Sequence, residues 1–277
     1  MPELPEVEVT RLGIHPHLIA QCVTGLVLRR SGLRWPFPDN LAQKIVGRHV
    51  QATGRRSKYL LILFEHGTLI IHLGMSGHIR LVARNTPAQM HDHVDLVLGD
   101  QPGGHLLRLT DPRRFGAVLW HDNTDGAVEQ FPLFQRLGME PFSEQFNGAV
   151  LYKATRHRKI AIKQMLLAGD VVVGVGNIYA SESLFMSGIN PHTPVNEITL
   201  ARYKKLALAI QKVLAQAIAK GGSSLRDFVG VDGKAGYFQQ DYFVYDRNKL
   251  PCKKCGTLIQ QIKQGQRSTF YCVQCQK

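Results

Sequence analysis

Four cysteines near the end of the chain stand as Cys252-x2-Cys255-x16-Cys272-x2-Cys275. That spacing makes two knuckles, each handing two thiolates to one tetrahedral zinc ion. Sulfur fills all four positions, which leaves none for water or substrate, so such a zinc would be structural. The opposite end reads Met1-Pro2-Glu3-Leu4-Pro5-Glu6. Loss of Met1 would expose the Pro2 nitrogen as a secondary amine. Terminal amines titrate near ~7.7 to 8.0, so this one would be nucleophilic around neutral pH and able to attack a sugar aldehyde carbon. Retention of Met1 would make the nitrogen an amide and abolish the chemistry.

The composition says what such chemistry would act on. Among 277 residues, 34 Lys and Arg stand against 21 Asp and Glu, a formal charge of +13, which favours a polyanionic partner, nucleic acid ahead of membrane or acidic protein. The charge is clustered: Lys153, Arg156, Arg158, Lys159 and Lys163 occur without an intervening acid, and beyond Tyr242 the single acid is Asp246. No apolar run approaches the roughly 18 residues of a membrane span, and the N-terminus lacks a basic-then-apolar secretory pattern. A cytosolic protein is expected, where paired cysteines hold metal in preference to forming disulfides and Cys22 remains an ordinary buried thiol.

These groups need a scaffold, and the hydrophobic pattern supplies one. A short helix is predicted just behind Pro2, with Pro5 in its first turn, Glu6 and Glu8 at its positive end, and a stripe of Leu4, Val7, Leu12 and Leu18. β-rich runs follow at Lys58 to Glu65, Thr68 to Ser76, His93 to Gly99, His105 to Thr110 and Gly116 to Trp120, the pattern of an antiparallel β-sandwich. From Leu151 the periodicity turns helical through Ile160, Ile162, Met165 and Leu166. The turn Ala168-Gly169-Asp170 and the loop Gly174-Val175-Gly176-Asn177 then lead into a second helix. Leu200 to Ala219 reads as a scaffold helix ended by Gly221 and Gly222. A Gly-containing stretch from Asp232 to Gly236 precedes a finger, Tyr242 to Lys277, too short to fold without its metal. The chain is thus expected to be α+β in two domains: a sandwich over 1–135, a linker over 136–150, a helical DNA-binding region over 151–235 and a finger over 236–277.

The opening PELPEV, SKYLLI around Lys58, IHLGMSG around Met75, TDPRRFG around Phe115, VVVGVGNIYASE and the finger with Arg267 together resemble, in order and over essentially the whole chain, the bacterial formamidopyrimidine-DNA glycosylase family. The resemblance implies a glycosylase and abasic-site lyase of base excision repair acting on oxidised purines, 8-oxoguanine and formamidopyrimidines, in double-stranded DNA. It implies one structural zinc ion, a monomer with no obligate protein partner, no membrane association and a cytoplasmic, nucleoid-associated location. By the same resemblance Pro2 is the nucleophile and Glu3 the acid/base, with Glu6 as a supporting carboxylate. Lys58 and Arg267 are set at the phosphates near the lesion, and strand cleavage proceeds by β,δ-elimination from a proline iminium. DNA contacts are implied for His72, His93, Lys163, Asn177 and Tyr245. A base acted on by an enzyme must leave the stack, and Met75, Arg113 and Phe115 are implied to fill the hole and read the orphaned partner.

Other readings stay open at this stage. An endonuclease VIII-like enzyme for oxidised pyrimidines shares the Pro-Glu start, but Leu4 stands where that branch has glycine. A non-catalytic zinc-finger DNA-binding protein would keep the charge and the cysteines yet have no use for a free Pro2 amine. Two departures from the family pattern lie at the entrance to the finger. Asp246 follows Tyr245 where glycine is common, and Asn248-Lys249-Leu250 precedes Pro251 where a glycine turn is usual. The stretch Ser223 to Gln240, with Arg226, resembles the family's lesion-capping loop.

Overall fold

The computed structural model describes residues 2–99, 104–222 and 242–277; Ser223 to Gln240 and Asp232 to Gly236 lie outside the described residues. Two compact units divide the chain, Met1–Gln135 with Lys220–Tyr237, and Arg136–Ala219 with Phe238–Lys277.

The first unit begins with helix α1 (Leu4–Leu18), whose second position is Pro5, where a missing N–H costs nothing. Its buried face is Leu4, Val7, Ile14 and Leu18, while Leu12, expected in that stripe, is 49% exposed. The reason is angular. At about 100° per residue, Leu12 lies roughly 80° to 140° round the helix from the other three, whereas Ile14 falls among them. Strands β1 (Cys22–Leu28), β2 (Arg48–His49), β3 (Ala52–Arg56), β4 (Tyr59–Phe64), β5 (Gly67–His72), β6 (His78–Ala83), β7 (Asp92–Leu98), β8 (His105–Thr110) and β9 (Ala117–Asp122) follow, with helix α2 (Leu41–Ile45) between β1 and β2.

They form two antiparallel sheets, β2-β1-β7-β8-β6 and β3-β4-β5-β9. Alternate residues point into one core: Leu60, Ile62 and Phe64 from β4, Val94, Leu96 and Leu98 from β7, Leu107 and Leu109 from β8, closed by Val7, Ile14 and Leu18 of α1. The period of two is that of strands buried on one face, and the expected sandwich is present.

Off this core, β7 and β8 carry a buried ion network. Asp95 and Arg108 are directly cross-strand partners, and the Arg108 guanidinium donates to both Asp95 oxygens at 2.8 and 2.9 Å and to the carbonyls of Thr86 and Pro87 at 3.0 Å. Burial works against the Asp95 carboxylate, but Arg108 and Arg29 outweigh it and hold its pKa below the usual range. The network ties down the segment ahead of β7.

In the second unit, α3 (Gly148–Thr155), α4 (Ile162–Ala168), α5 (Asn177–Ser187) and α6 (Leu200–Ala219) pack with the hairpin β10 (Gln260–Gln264) and β11 (Arg267–Tyr271). Asn147 caps α3, its side-chain oxygen accepting from Ala149 and Val150. The helix therefore starts ahead of Leu151. The helical run expected to continue through Ile160 breaks instead, and Ile160 is exposed before α4 begins. No helix among the described residues is long and apolar enough to cross a membrane.

Removing Arg108, which is 2% exposed, would strand buried carboxylates. Arg108→Met is expected to cost about 3 kcal/mol. The loss should appear as faster amide hydrogen exchange across β7 and β8, and unchanged protection there would show that the network contributes little.

Candidate active site and DNA interface

Both ends of the predicted chemistry rest on local hydrogen bonds. Pro2 is buried, and Glu3, 1% exposed, is the N-cap of α1. The Glu6 carboxylate, fully buried one turn on, accepts the Glu3 backbone N–H at 2.8 Å. This is half of a capping box, and it fixes the backbone that carries Pro2 and Glu3. Glu6 is therefore a positioning residue.

Salt bridges extend the support to Lys58. Glu8 pairs with Arg11 at 2.7 Å and with Arg55 of β3 at 3.2 Å, and Arg55 donates to the Ser57 carbonyl at 2.8 Å. Burial opposes the Glu8 carboxylate, but the two arginines prevail and lower its pKa. Lys58, expected at the start of a strand, sits on the two-residue turn between Arg56 and Tyr59, where Ser57 has φ +55°.

Across the next strand, Tyr59 pairs with His72, ring centroids 4.9 Å apart. The Gly74 N–H donates to His72 Nδ1 at 3.0 Å, so that nitrogen is unprotonated. Burial, with Lys58 and Arg34 nearby, pulls the His72 pKa down to about 4. A neutral imidazole with its proton on Nε2 is left as a donor.

The loop with Met75 and the loop with Arg113 and Phe115 meet at Asp111, which is fully buried. One Asp111 oxygen accepts from Ser76 Oγ at 2.9 Å and the other from the Gly116 N–H at 2.8 Å, while Ser76 Oγ itself accepts the Arg113 N–H at 3.1 Å. Gly74, at φ +65°, allows the approach: a Cβ there would lie 2.5 Å from the backbone of Phe115 and Gly116. Arg114 takes φ +58°, a left-handed kink between Arg113 and Phe115. Both of those side chains are exposed, and the Arg113 guanidinium stands 5.1 Å from the Phe115 ring centre. His93, expected among the DNA contacts, is 3% exposed and donates through Nε2 to the Asp111 carbonyl at 3.0 Å. It braces the loop from beneath. Asp111 falls within TDPRRFG and Ser76 within IHLGMSG, and the sequence does not mark either, because a buried carboxylate has no pattern that separates it from a surface one.

The second unit repeats this arrangement. Arg267 is exposed at the tip of the hairpin, flanking a turn whose Gly265 and Gln266 both have positive φ, the conformation of a tight two-residue hairpin. Lys163, expected to meet DNA, is only 1% exposed. Its ammonium donates to the Ser268 carbonyl at 3.1 Å and to Thr269 Oγ1 at 2.8 Å. Asn177, first residue of α5, donates to the same Ser268 carbonyl at 3.0 Å. Together they clamp the strand that begins with Arg267.

Tyr245 is set by Glu182, whose buried carboxylate accepts the N–H groups of Phe243, Val244 and Tyr245 at 2.9 to 3.0 Å. Burial pushes the Glu182 carboxyl upward against those donors. The Tyr245 ring packs edge-on to Tyr242 and Phe270.

The four cysteine sulfurs all lie within 4.8 Å of one another, with Cys252 to Cys275 at 3.9 Å and Cys255 to Cys272 at 3.5 Å. Zinc–sulfur bonds of about 2.3 Å require tetrahedron edges of ~3.8 Å. The site fits zinc, and it is closed.

Three family models match in sequence order: the formamidopyrimidine-DNA glycosylase N-terminal domain over residues 1–118, its H2TH domain over 137–229, and a zinc finger found in FPG and IleRS over 249–277. The chain belongs to the formamidopyrimidine-DNA glycosylase family. It is 62% identical to the formamidopyrimidine-DNA glycosylase of Janthinobacterium sp. (strain Marseille) and 61% identical to that of Herminiimonas arsenicoxydans, each covered over its full length. A Lactococcus lactis Fpg bound to DNA containing an abasic site superposes with a TM-score of 0.90 at 30% identity over 99% of both chains. A mutant of that protein bound to DNA containing Fapy-dG gives 0.91 at 30% identity over the whole of both chains. The family comprises glycosylases with abasic-site lyase activity, and the finger belongs to a zinc-binding class.

The two departures from the family pattern fall at Asp246, φ +56°, and Lys249, φ +63°. Both side chains occupy a conformation that glycine adopts freely. Asp246→Gly and Lys249→Gly are each expected to stabilise the finger by about 1 kcal/mol, read as a higher chelator or denaturant midpoint; a lower midpoint would mean that these side chains make compensating contacts. Asp111→Asn removes the charge from both bonds, leaving one oxygen to accept the Gly116 N–H and an amide that can reach Ser76 Oγ only as a donor, the reverse of the present direction. Its base excision should fall by more than tenfold at about one lost charge-assisted hydrogen bond while zinc content stays constant. Unchanged excision would remove Asp111 from its supporting role.

Proposed function

We propose that this chain excises oxidised purines, 8-oxoguanine and formamidopyrimidines, from duplex DNA through the Pro2 amine and then cleaves the strand. The observation that carries the reading is the arrangement at the N-terminus: Glu3 held by the buried Glu6 one residue from Pro2, in the unit that also carries Met75, Arg113 and Phe115. A binding protein would have no need of that support.

The Pro2 nitrogen, freed by removal of Met1, attacks C1′ of the damaged nucleotide. The base departs with the glycosidic electron pair and a proton, and the ring-opened sugar is held as an iminium. That cation acidifies the C2′ hydrogens, so removal of one expels the 3′ phosphate and a second elimination expels the 5′ phosphate. Glu3 moves protons at the sugar, a contribution typically worth ~10² to 10⁴ in rate.

Lys58, neutral His72, Asn177, Tyr245 and Arg267 take phosphate oxygens. Their roles suit their groups: ammonium and guanidinium as charges, imidazole Nε2 and amide N–H as donors. His93 and Lys163 act one layer down, holding the Asp111 loop and the Arg267 hairpin. Zinc, when bound, supplies the finger with its fold. Met75, Arg113 and Phe115 occupy the gap left by the flipped base, and Arg113 reads the orphan. Cytosine offers it acceptors, whereas the pairing edge of adenine sets a donor beside its acceptor. Excision opposite adenine would also fix a mutation. A cytoplasmic location fits this substrate.

Borohydride should trap the protein on abasic DNA through Pro2, with mass analysis placing the adduct there. Equal trapping by Pro2→Gly, or by protein that retains Met1, would defeat the assignment. Glu3→Gln should lose base excision while keeping affinity for an uncleavable abasic analogue within a few-fold. Single-turnover excision of 8-oxoguanine should be much faster opposite cytosine than opposite adenine. Equal rates would sink the Arg113 role, and faster removal of thymine glycol would favour the endonuclease VIII-like reading.

A further inference from the structure

Beside the loop of Arg113 and Phe115 lies a concavity of about 460 Å³ whose other wall is the segment from Arg30 to Pro36. Its size falls in the range of pockets that seat small ligands, ~300 to 1,000 Å³. Four arginines line it, Arg30, Arg34, Arg113 and Arg114, and no acid does. None of the four forms an ion pair with a described carboxylate, whereas Arg29, next in sequence to Arg30, is paired with Asp95. The pocket also offers aromatic faces, with the Arg34 guanidinium 4.7 Å from the Trp35 ring centre and Arg113 stacked on Phe115.

The walls are joined. The Arg34 N–H donates to the Gly116 carbonyl at 3.0 Å, so the segment is bonded to the loop that Asp111 holds. Guanidinium groups without counter-charges beside flat aromatic faces are the chemistry that takes a nucleotide, the phosphate on the cations and the sugar or base on the rings.

We propose that this pocket seats the undamaged strand, binding a nucleotide next to the orphaned base. The inference rests on the reading of Arg113 and Phe115 given above: if Arg113 contacts the orphan and Phe115 wedges beside it, the strand carrying the orphan continues over the wall these residues share with Arg34 and Trp35. The phosphate flanking the orphan then falls to Arg30, Arg34 and Arg114, and the lesion strand falls to the other cations. Grip on the undamaged strand would hold the kinked duplex while the lesion is extruded.

The test uses the full-length, zinc-loaded protein and a duplex with an uncleavable abasic analogue opposite cytosine. Methylphosphonates are placed either at the linkages flanking that cytosine or at the equivalent linkages of the lesion strand. Arg34→Gln should weaken binding to the unmodified duplex about tenfold, the effect of one charge-assisted contact, and lower the salt slope by ~0.9. It should have little further effect once the undamaged strand is neutralised, yet keep its full effect when the lesion strand is. With Trp120→Phe leaving Trp35 as the sole tryptophan, emission should be quenched on binding. The inference is overturned if Arg34→Gln binds like wild type, or if its effect disappears only on the duplex neutralised in the lesion strand. Wild-type protein that shows no preference for the abasic duplex would instead overturn the parent reading, and this one with it.

Discussion

The buried carboxylate of Asp111 is the constraint on which the DNA-facing edge of the first unit depends. A carboxylate out of water must have its lone pairs met, and here they are met by donors from two different loops, Ser76 Oγ and the Gly116 N–H. Neither loop can move far without leaving the charge bare. The same residue gives its backbone N–H to the His91 carbonyl and takes the His93 Nε2 proton on its own carbonyl, which locks it to the start of β7. The side chains proposed to meet DNA, Met75, Arg113 and Phe115, can therefore project from irregular backbone and still be aimed, because the layer beneath them is fixed.

The second unit solves its positioning problem with the same physics and different groups. A hairpin tip standing alone would leave Arg267 to sample many directions. Lys163 and Asn177 both donate to the Ser268 carbonyl, one residue from it, and Thr269 adds a further hold. Glu182 plays the converse part, one buried carboxylate collecting three successive backbone N–H groups and so fixing the chain as it enters the finger. In each case a buried charge is tolerable because more than one polar group shares it, a carbonyl and a hydroxyl for Lys163 and three backbone N–H groups for Glu182.

Much of this was legible in the sequence, and the limits have physical reasons. The strands β4, β5, β7, β8 and β9 announce themselves through short apolar runs bounded by turn residues, and the helix from Leu200 to Ala219 through its spacing. The strands β1, β3 and β6 do not: β1 carries Gly25 in its middle, β3 ends Gly-Arg-Arg, and β6 alternates Ile79 and Leu81 with polar partners over too short a run. The places of β1 and β6 are set by pairing with β7 and β8, further along the chain, and that of β3 by the hairpin it makes with β4. At the site, thiolate spacing identified the four cysteines, whereas the roles given to Pro2 and Glu3 rest on the family motifs that accompany them. His93 and Lys163 were read as DNA contacts because charge and polarity in a sequence do not reveal burial. The structure places both underneath.

That distinction separates the arginines of the first unit into two sets. Arg29, Arg80 and Arg108 are paired to Asp92 and Asp95, buried or half-buried, and serve the sheet. Arg30, Arg34, Arg113 and Arg114 surround one concavity with no acid in its lining. Four like charges facing a common space repel one another, so the free protein is less stable for holding them there. The carboxylates of Asp92 and Asp95 are instead committed to Arg29, Arg80 and Arg108. An arrangement that raises the energy of the free protein and leaves its cations unneutralised makes sense only when a polyanion arrives to relieve it, and the relief then becomes part of the binding free energy.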